Sequence, residues 1–319
     1  MTSSKLKSTK PLWRRYLTGI LFVAAMIFVL SVAWTYRYAL IELLAKSNLY
    51  WVAIALLLLV IANSGIAALF ALLVQRDTGD KHLRLVAAIF LLSQLAKYVP
   101  GRVWTVLLQA TLVGGRARPG RLVTANLEIA LFTMTASLSV GIAALAFVVA
   151  GAWASWVVFI LLSLGSVLLL RLDFTVRVVV TVLRIWRKWR GLPDPISEPI
   201  SRPSCKTMFI WSGLFIASYT SGWLLLLTLG LGHDFPTGIL MLGAIAAAWA
   251  LGTLSMLPGG IGVREAVFVA LGVLTGVNAT DYVAVAVATR IVLIILDALS
   301  TILGWLLMPS RTTESPAKD

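Results

Sequence analysis

Long apolar runs dominate this sequence, each about as long as a helix that crosses a bilayer. They lie at 16–36, 50–74, 122–150, 153–171, 208–231 and 282–308. A transmembrane α-helix needs about 20 apolar residues. Only 13% of the residues are charged, whereas about a quarter are charged in a soluble domain. The sequence therefore predicts an all-α, polytopic membrane helix bundle with about six full spans. A soluble enzyme, a nucleic-acid-binding domain and a disordered protein are excluded.

Two further apolar stretches, 86–113 and 237–277, are each interrupted by proline and glycine. The interrupting residues are Pro100 and Gly101 in the first stretch, and Pro258, Gly259, Gly260 and Gly262 in the second. Proline lacks a backbone donor and clashes with the preceding turn, while glycine permits a tight reversal. Each stretch is therefore predicted to form two helices around a break. A re-entrant hairpin and a pair of full spans both fit, although the short legs of the first stretch favour re-entry.

The positive charges indicate how the chain is oriented. With the N-terminus in the cytoplasm, the cytoplasmic segments contain 21 Lys and Arg residues, and the external segments contain only Arg37 and Lys46. Membrane proteins keep such an excess on the cytoplasmic side. We therefore expect both termini in the cytoplasm. The net charge of +14 is spread over these segments, so no nucleic-acid partner is expected.

The expected orientation divides the chain into two related halves. A basic N-terminus (1–15) precedes one membrane domain (16–308), and a cytoplasmic tail (309–319) follows it. Within the domain, halves 16–171 and 207–308 are joined by the basic loop 172–206. The first break would open from the cytoplasm and the second from outside, as in an inverted repeat with a transport pathway. The alternative is that two Pro-Gly breaks arose without a repeat.

Seven charged residues lie in the spans or beside the breaks, where each costs about 2.5–3.5 kcal/mol on insertion scales. They are Lys97, Arg102, Glu128, Arg264, Glu265, Arg290 and Asp297. A helix that starts after a break exposes amides and a positive dipole end, which attract anions. With the four basic side chains, these ends predict a site for an anionic or zwitterionic headgroup. Alternatively, the basic side chains extend to the interface, and the acidic ones only cap a helix or neutralise charge.

The sequence gives no sign of catalytic chemistry. It contains no Walker loop, metal-ligand cluster or nucleophile elbow, and Cys205 is its only cysteine. We therefore expect no catalytic residue, no metal and no cofactor. If the chain were instead a membrane-embedded transferase, Glu128, Glu265 and Asp297 would be the candidate acids or bases.

The two broken stretches resemble the signature segments of a known family. LAKYVPGRVW at 95–104 and LPGGIGVREAVFVALG at 257–272 are similar to those of the lysylphosphatidylglycerol synthase transmembrane-region family. The resemblance covers about residues 15–310 and implies a bacterial cytoplasmic (inner) membrane protein. The motif positions include Lys97, Arg264 and Glu265 together with the prolines and glycines of both breaks. The sequence ends at Asp319 without an aminoacyl-tRNA-using domain, so lysyl transfer is not expected.

The resemblance implies work on a charged lipid. The leading hypothesis is a flippase-like translocase for a charged phospholipid or a polyprenyl-phosphate-linked glycolipid. The alternative is a non-transporting membrane subunit that supports a glycosyltransferase or a lipid-modifying synthase. The implied partners are a membrane lipid headgroup and such an enzyme. The sequence leaves the oligomeric state open, a homo-oligomer included.

The orientation can be tested by thiol labelling. In a Cys205→Ser background, single cysteines placed in loops 75–85, 114–121 and 172–206 should be protected from an impermeant thiol reagent in intact cells. Cysteines in 37–48, 231–236 and 278–281 should react. External labelling of loop 172–206 would contradict the orientation and, with it, the inverted arrangement.

Overall fold

The computed structural model describes residues 47–78, 82–98, 103–171, 204–255, 263–275 and 279–308, with isolated positions elsewhere. Within these ranges the chain is helical and forms no strand. The predicted span 16–36 and most of the basic loop lie outside the described residues. The prediction of an all-α membrane bundle is confirmed by the remainder.

Eight α-helices organise the described chain. They are α1 (Leu49–Thr78), α2 (Leu83–Leu92), α3 (Val103–Val113), α4 (Pro119–Arg171), α5 (Cys205–Leu225), α6 (Phe235–Leu254), α7 (Val263–Thr275) and α8 (Ala279–Leu307). Five of these, α1, α4, α5, α6 and α8, contain apolar segments long enough to cross a membrane. A π-helical turn, Leu226–Gly230, extends α5. The boundaries agree with the predicted runs to within a few residues, as expected for a hydrophobicity signal.

The longest helix, α4, bends sharply at one glycine. Its 53 residues include Gly151, which has φ 83° and ψ −177°. This left-handed backbone favours glycine because no Cβ is present to clash. The break lies between the predicted spans 122–150 and 153–171, so the two spans are confirmed as separate helical segments. Large apolar side chains around the bend are exposed, including those of Val149, Trp153 and Trp156, as lipid contact requires.

The first broken stretch is held in place by buried polar contacts. After α2 the chain tightens into a 3₁₀ helix, Ser93–Tyr98, and α3 resumes at Val103. The Gln109 amide donates to the Ser93 hydroxyl (2.9 Å), and the Asn126 amide donates to the Gln109 side-chain oxygen (2.7 Å). These bonds tie the 3₁₀ segment to α3 and α4. Polar bonds of this kind satisfy groups that lipid cannot.

The second broken stretch has unequal arms. Asp234 caps α6 by accepting a hydrogen bond from the Thr237 backbone N–H (3.2 Å). With 20 residues, α6 is long enough to span the membrane, whereas α7 has only 13. A helix was predicted to begin after Gly262, and α7 does begin at Val263. The break itself, residues 256–262, lies outside the described part of the chain.

Small residues let the helices approach closely at two crossings. A Cβ on Gly243 of α6 would lie 2.6 Å from the Ala144 Cβ of α4. One on Gly304 of α8 would lie 2.8 Å from both the Ala88 carbonyl oxygen and the Leu92 nitrogen of α2. Glycine at these sites therefore sets the distance between helices, as is common in membrane bundles.

Replacing Gly304 with alanine tests the crossing of α8 and α2. The added methyl group meets backbone rather than a flexible side chain, so the helices must separate, at about 1–3 kcal/mol. We expect Gly304→Ala to lower the thermal unfolding midpoint of the purified protein. Gly165 of α4 is the matched control, because its Cβ would meet nothing within 4 Å. Equal midpoints for the two variants would contradict the close approach.

Candidate functional site: a cavity lined by two arginines

Two arginine side chains line one cavity in the second half of the chain. Arg264 is the second residue of α7, and Arg290 lies near the middle of α8. The cavity has a volume of about 30 Å³, which is room for one or two water molecules. Both arginines lie in apolar helices, α7 and α8, that pack against each other. The cavity therefore brings together two of the charged residues that the sequence singled out as candidate site residues.

Aromatic rings form much of the remaining wall. The lining includes Trp223 of α5, Trp249 of α6 and Phe268 of α7. Trp223 and Phe268 are almost completely buried. Thr289, the neighbour of Arg290, also lines the cavity. Ligand sites commonly combine an apolar wall with a few polar groups that fix the orientation of the ligand.

A glycine and a tryptophan of α6 position the Arg264 side chain. A Cβ on Gly252 would lie 2.5 Å from Arg264 Cγ and 2.7 Å from Arg264 Nε. The arginine stem therefore lies directly across the Gly252 backbone. Its guanidinium carbon lies 5.9 Å from the centroid of the Trp249 ring, at the outer limit of a cation–π contact. A larger residue than glycine at 252 would displace Arg264 from the cavity.

The chemistry of this lining suits an oxyanion. A guanidinium group presents N–H donors in a planar fork that matches two oxygens of phosphate or carboxylate. The N-terminus of α7 begins one residue before Arg264, and its dipole also favours negative charge. The cavity is too small for a complete lipid headgroup.

A separate ion pair joins the first break to the last helix. The Lys97 ammonium donates to Asp297 Oδ1 at 2.7 Å. The Asp297 side chain is only 2% exposed, and that of Lys97 is 41% exposed. Lys97 lies in the last turn of the 3₁₀ segment, and Asp297 lies on α8, so the pair bridges the two halves of the chain. A carboxylate this deeply buried requires such a partner.

Glu128 pairs within its own helix. Arg121 donates to Glu128 Oε1 at 3.4 Å, and it also donates to the Leu73 carbonyl oxygen of α1. The Glu128 side chain is 2% exposed. Arg121 was predicted to lie in a loop. It lies instead in the first turn of α4, where its charge compensates this buried carboxylate. The charge pattern could have revealed it, because positions 121 and 128 are seven residues apart and share a helix face.

The predicted site residues therefore divide among three places. Arg264 and Arg290 share the cavity, Lys97 and Asp297 pair with each other, and Glu128 pairs with Arg121. Glu265 lies in the first turn of α7. The residues Pro100, Gly101, Arg102, Pro258, Gly259, Gly260 and Gly262 lie outside the described residues. No three metal-ligating side chains come together in the part of the chain that is described.

The aromatic wall was not predicted from the sequence. Trp223 and Trp249 were treated as ordinary members of apolar runs. Tryptophan in membrane proteins is enriched at the interfaces, and both residues lie within the last two turns of α5 and α6, so their positions in the sequence did not distinguish them from interfacial residues. Their contact with arginines more distant in sequence depends on how α5, α6, α7 and α8 pack, which local patterns do not specify.

Comparisons of the chain with models of protein families, with curated proteins and with solved structures find no match. The resemblance at the two breaks therefore stays a prediction. What is established is a multi-pass helical membrane protein with charged residues enclosed between its helices.

A double-mutant cycle tests the Lys97–Asp297 pair. Lys97→Met leaves the Asp297 carboxylate buried beside an apolar side chain, so unfolding free energy should fall by about 1–3 kcal/mol. This is less than for a fully buried pair because Lys97 is partly exposed and partly screened. Asp297→Asn in the same chain should restore most of the loss. Additive losses in thermal unfolding of the purified protein would contradict the pairing.

Proposed function

We propose that this protein is a flippase-like lipid translocase, which moves an anionic phosphate headgroup across the membrane. The observation that carries the proposal is the meeting of Arg264 and Arg290 in one cavity among membrane-spanning helices. The lipid is a charged phospholipid or a polyprenyl-phosphate-linked glycolipid. Its acyl or prenyl chains stay in the bilayer while the headgroup passes between the helices.

Arg264 and Arg290 lie in apolar helices, where a charged side chain is energetically unfavourable. Each charged side chain at bilayer depth costs about 2.5–3.5 kcal/mol on insertion scales, and ionisable residues at such depth generally serve a pathway. A phosphate that binds both guanidinium groups forms charge-assisted hydrogen bonds in a low-dielectric setting. The same bonds compensate the phosphate for the water that it loses on entering the membrane.

Transport of the headgroup requires that the binding site opens first to one side of the membrane and then to the other. The helices on either side of both breaks are short or unequal, and the Lys97–Asp297 pair connects the first break to α8. Breaks in helices at matching positions are typical of transporters that alternate between two openings. The sequence contains no ATP-binding motif, so transport would be downhill, coupled to an ion or driven by consumption of the lipid on the far side. The inner bacterial membrane and cytoplasmic termini belong to the same proposal.

Substitutions of Arg264 and Arg290 test the proposal in proteoliposomes. Arg264→Gln and Arg290→Gln should weaken binding of a fluorescent phosphatidylglycerol about 10- to 150-fold, because each loses a charge-assisted hydrogen bond worth about 1.5–3 kcal/mol. Arg264→Lys keeps the charge but loses the planar fork, so it should retain part of the translocation activity. Binding and movement of the labelled lipid to the opposite leaflet are measured separately.

Arg84→Gln provides the matched control. Arg84 also lies on an apolar helix, α2, but its Nε donates to the Leu307 carbonyl oxygen, far from the cavity along α8. This variant should bind and move lipid as the wild-type protein does. Unchanged lipid affinity together with lower stability in the Arg264 variants would contradict recognition of a headgroup. Binding without movement in the wild-type protein would favour the supporting-subunit alternative.

A further inference from the structure

One face of α5 carries a series of polar side chains whose bonding groups are buried. Ser212, Tyr219, Thr220 and Trp223 lie within roughly 100° of one another at 100° per residue. The Ser212 and Thr220 hydroxyls have no hydrogen-bond partner among the described residues, and the Tyr219 hydroxyl and the Trp223 indole N–H form no bond of normal geometry there. We call these four residues the α5 polar face.

Such a concentration on one helix calls for a physical explanation. Nearly all buried polar groups in folded proteins are hydrogen-bonded, and lipid offers none of the missing partners. Serine and threonine in helices can donate to a carbonyl one turn earlier. On the same chain segment Thr228 does so, with Leu224 as the acceptor (2.8 Å). Thr220 does not.

The α5 polar face reaches the arginine cavity at Trp223. Trp223 lines the cavity directly and is completely buried. Tyr219 lies one turn before it, and the two ring centroids are 6.3 Å apart in an edge-to-face arrangement. The Ser137 hydroxyl of α4 and the Trp223 side chain are the polar neighbours of the Tyr219 hydroxyl, and Arg264 acts on it electrostatically. Hydroxyl and indole donors therefore adjoin the place proposed for the phosphate.

We infer that the α5 polar face binds the hydroxyl groups of the headgroup, and that the lipid carries a neutral polyhydroxyl group on its phosphate. The inference rests on the proposed function, whose site it extends. Hydroxyls of a sugar or of glycerol both donate and accept, so they complete the bonds of Tyr219, Thr220 and Trp223. Flat aromatic rings beside these donors suit the carbon-bound hydrogens of a sugar or glycerol unit. A cationic aminoacyl headgroup would instead place its ammonium groups beside Arg264 and Arg290.

Three lipids of equal phosphate chemistry test this in binding to the purified full-length protein. They are phosphatidylglycerol, a polyprenyl hexosyl phosphate and phosphatidylethanol. The last of these lacks the headgroup hydroxyls. The two hydroxyl-bearing lipids should bind about 10-fold or more tightly than phosphatidylethanol, since a site built to bond hydroxyls disfavours a ligand without them. A higher affinity for the hexosyl lipid identifies a sugar as the natural group, and a higher affinity for phosphatidylglycerol identifies glycerol.

Two nearly isosteric variants identify the binding groups. Tyr219→Phe and Thr220→Val each remove one hydroxyl, so each should weaken the hydroxyl-bearing lipids roughly 3- to 10-fold and leave phosphatidylethanol unchanged. Neither should lower the unfolding temperature of the lipid-free protein by much, because the hydroxyl that is removed forms no hydrogen bond of normal geometry with the described residues. Thr228→Val is the control, since its hydroxyl is already bonded within the helix, and it should keep the preference.

The outcomes separate the two proposals. Equal affinity of the wild-type protein for all three lipids, or no binding of any, overturns the inference. An unfolding temperature that falls in Tyr219→Phe and Thr220→Val, with affinity unchanged, also overturns it, because the hydroxyls are then structural. If the preference is present but no lipid crosses in proteoliposomes, the inference holds and the translocase proposal fails. If all three lipids cross at equal rates and bind with equal affinity, the translocase proposal holds and the inference about the α5 polar face fails.

Discussion

A carboxylate buried inside a membrane protein must find its counter-charge within the protein. Asp297 meets this requirement through Lys97, whose ammonium lies 2.7 Å away. The partner comes from the 3₁₀ segment before the first break, 200 residues earlier in the chain. Because the Asp297 carboxylate is enclosed, its pairing with Lys97 holds the first broken stretch against the last helix. Gly304 lies about two turns further along α8 and brings this helix against the α2 backbone.

The same helix connects this ion pair to the arginine cavity. Arg290 and Asp297 are seven residues apart, which places them about 10.5 Å apart along α8 on nearly one face. Arg290 reaches the cavity beside α7, whereas Asp297 reaches the first break. A shift of α8 would therefore change both places together. In the proposed function, this connection would couple headgroup binding in the second half to the position of the first broken stretch.

Hydrophobic runs made the helices predictable because bilayer thickness fixes their length. The division of α4 at Gly151 matches the two apolar runs 122–150 and 153–171, and the start of α7 followed from the break that ends at Gly262. The pairings were not predictable in this way. Lys97 and Asp297 were both assigned to a headgroup site, and nothing in their local sequence indicated that they meet. Trp249 and Gly252 position Arg264 through packing between helices, which depends on the shape of the whole bundle.

The α5 polar face shows a further limit of sequence patterns. Serine, threonine, tyrosine and tryptophan are ordinary in an apolar span, and most of them bond to their own helix, as Thr228 does. Packing between helices decides whether a hydroxyl finds an acceptor or is buried without one. The distinction matters because the first stabilises the helix, while the second offers a bond to a ligand.

Photo-crosslinking with a lipid phosphate tests the central claim most directly. A photoactivatable group placed beside the phosphate of a short-chain lipid should react with the purified protein in liposomes, and the labelled peptides are then mapped by mass spectrometry. The arginine cavity predicts adducts on Trp223, Trp249 and Phe268, and competition by unlabelled lipid phosphate. Adducts confined to lipid-exposed positions such as Trp153, Trp156 and Trp305, with none at the cavity, would contradict it.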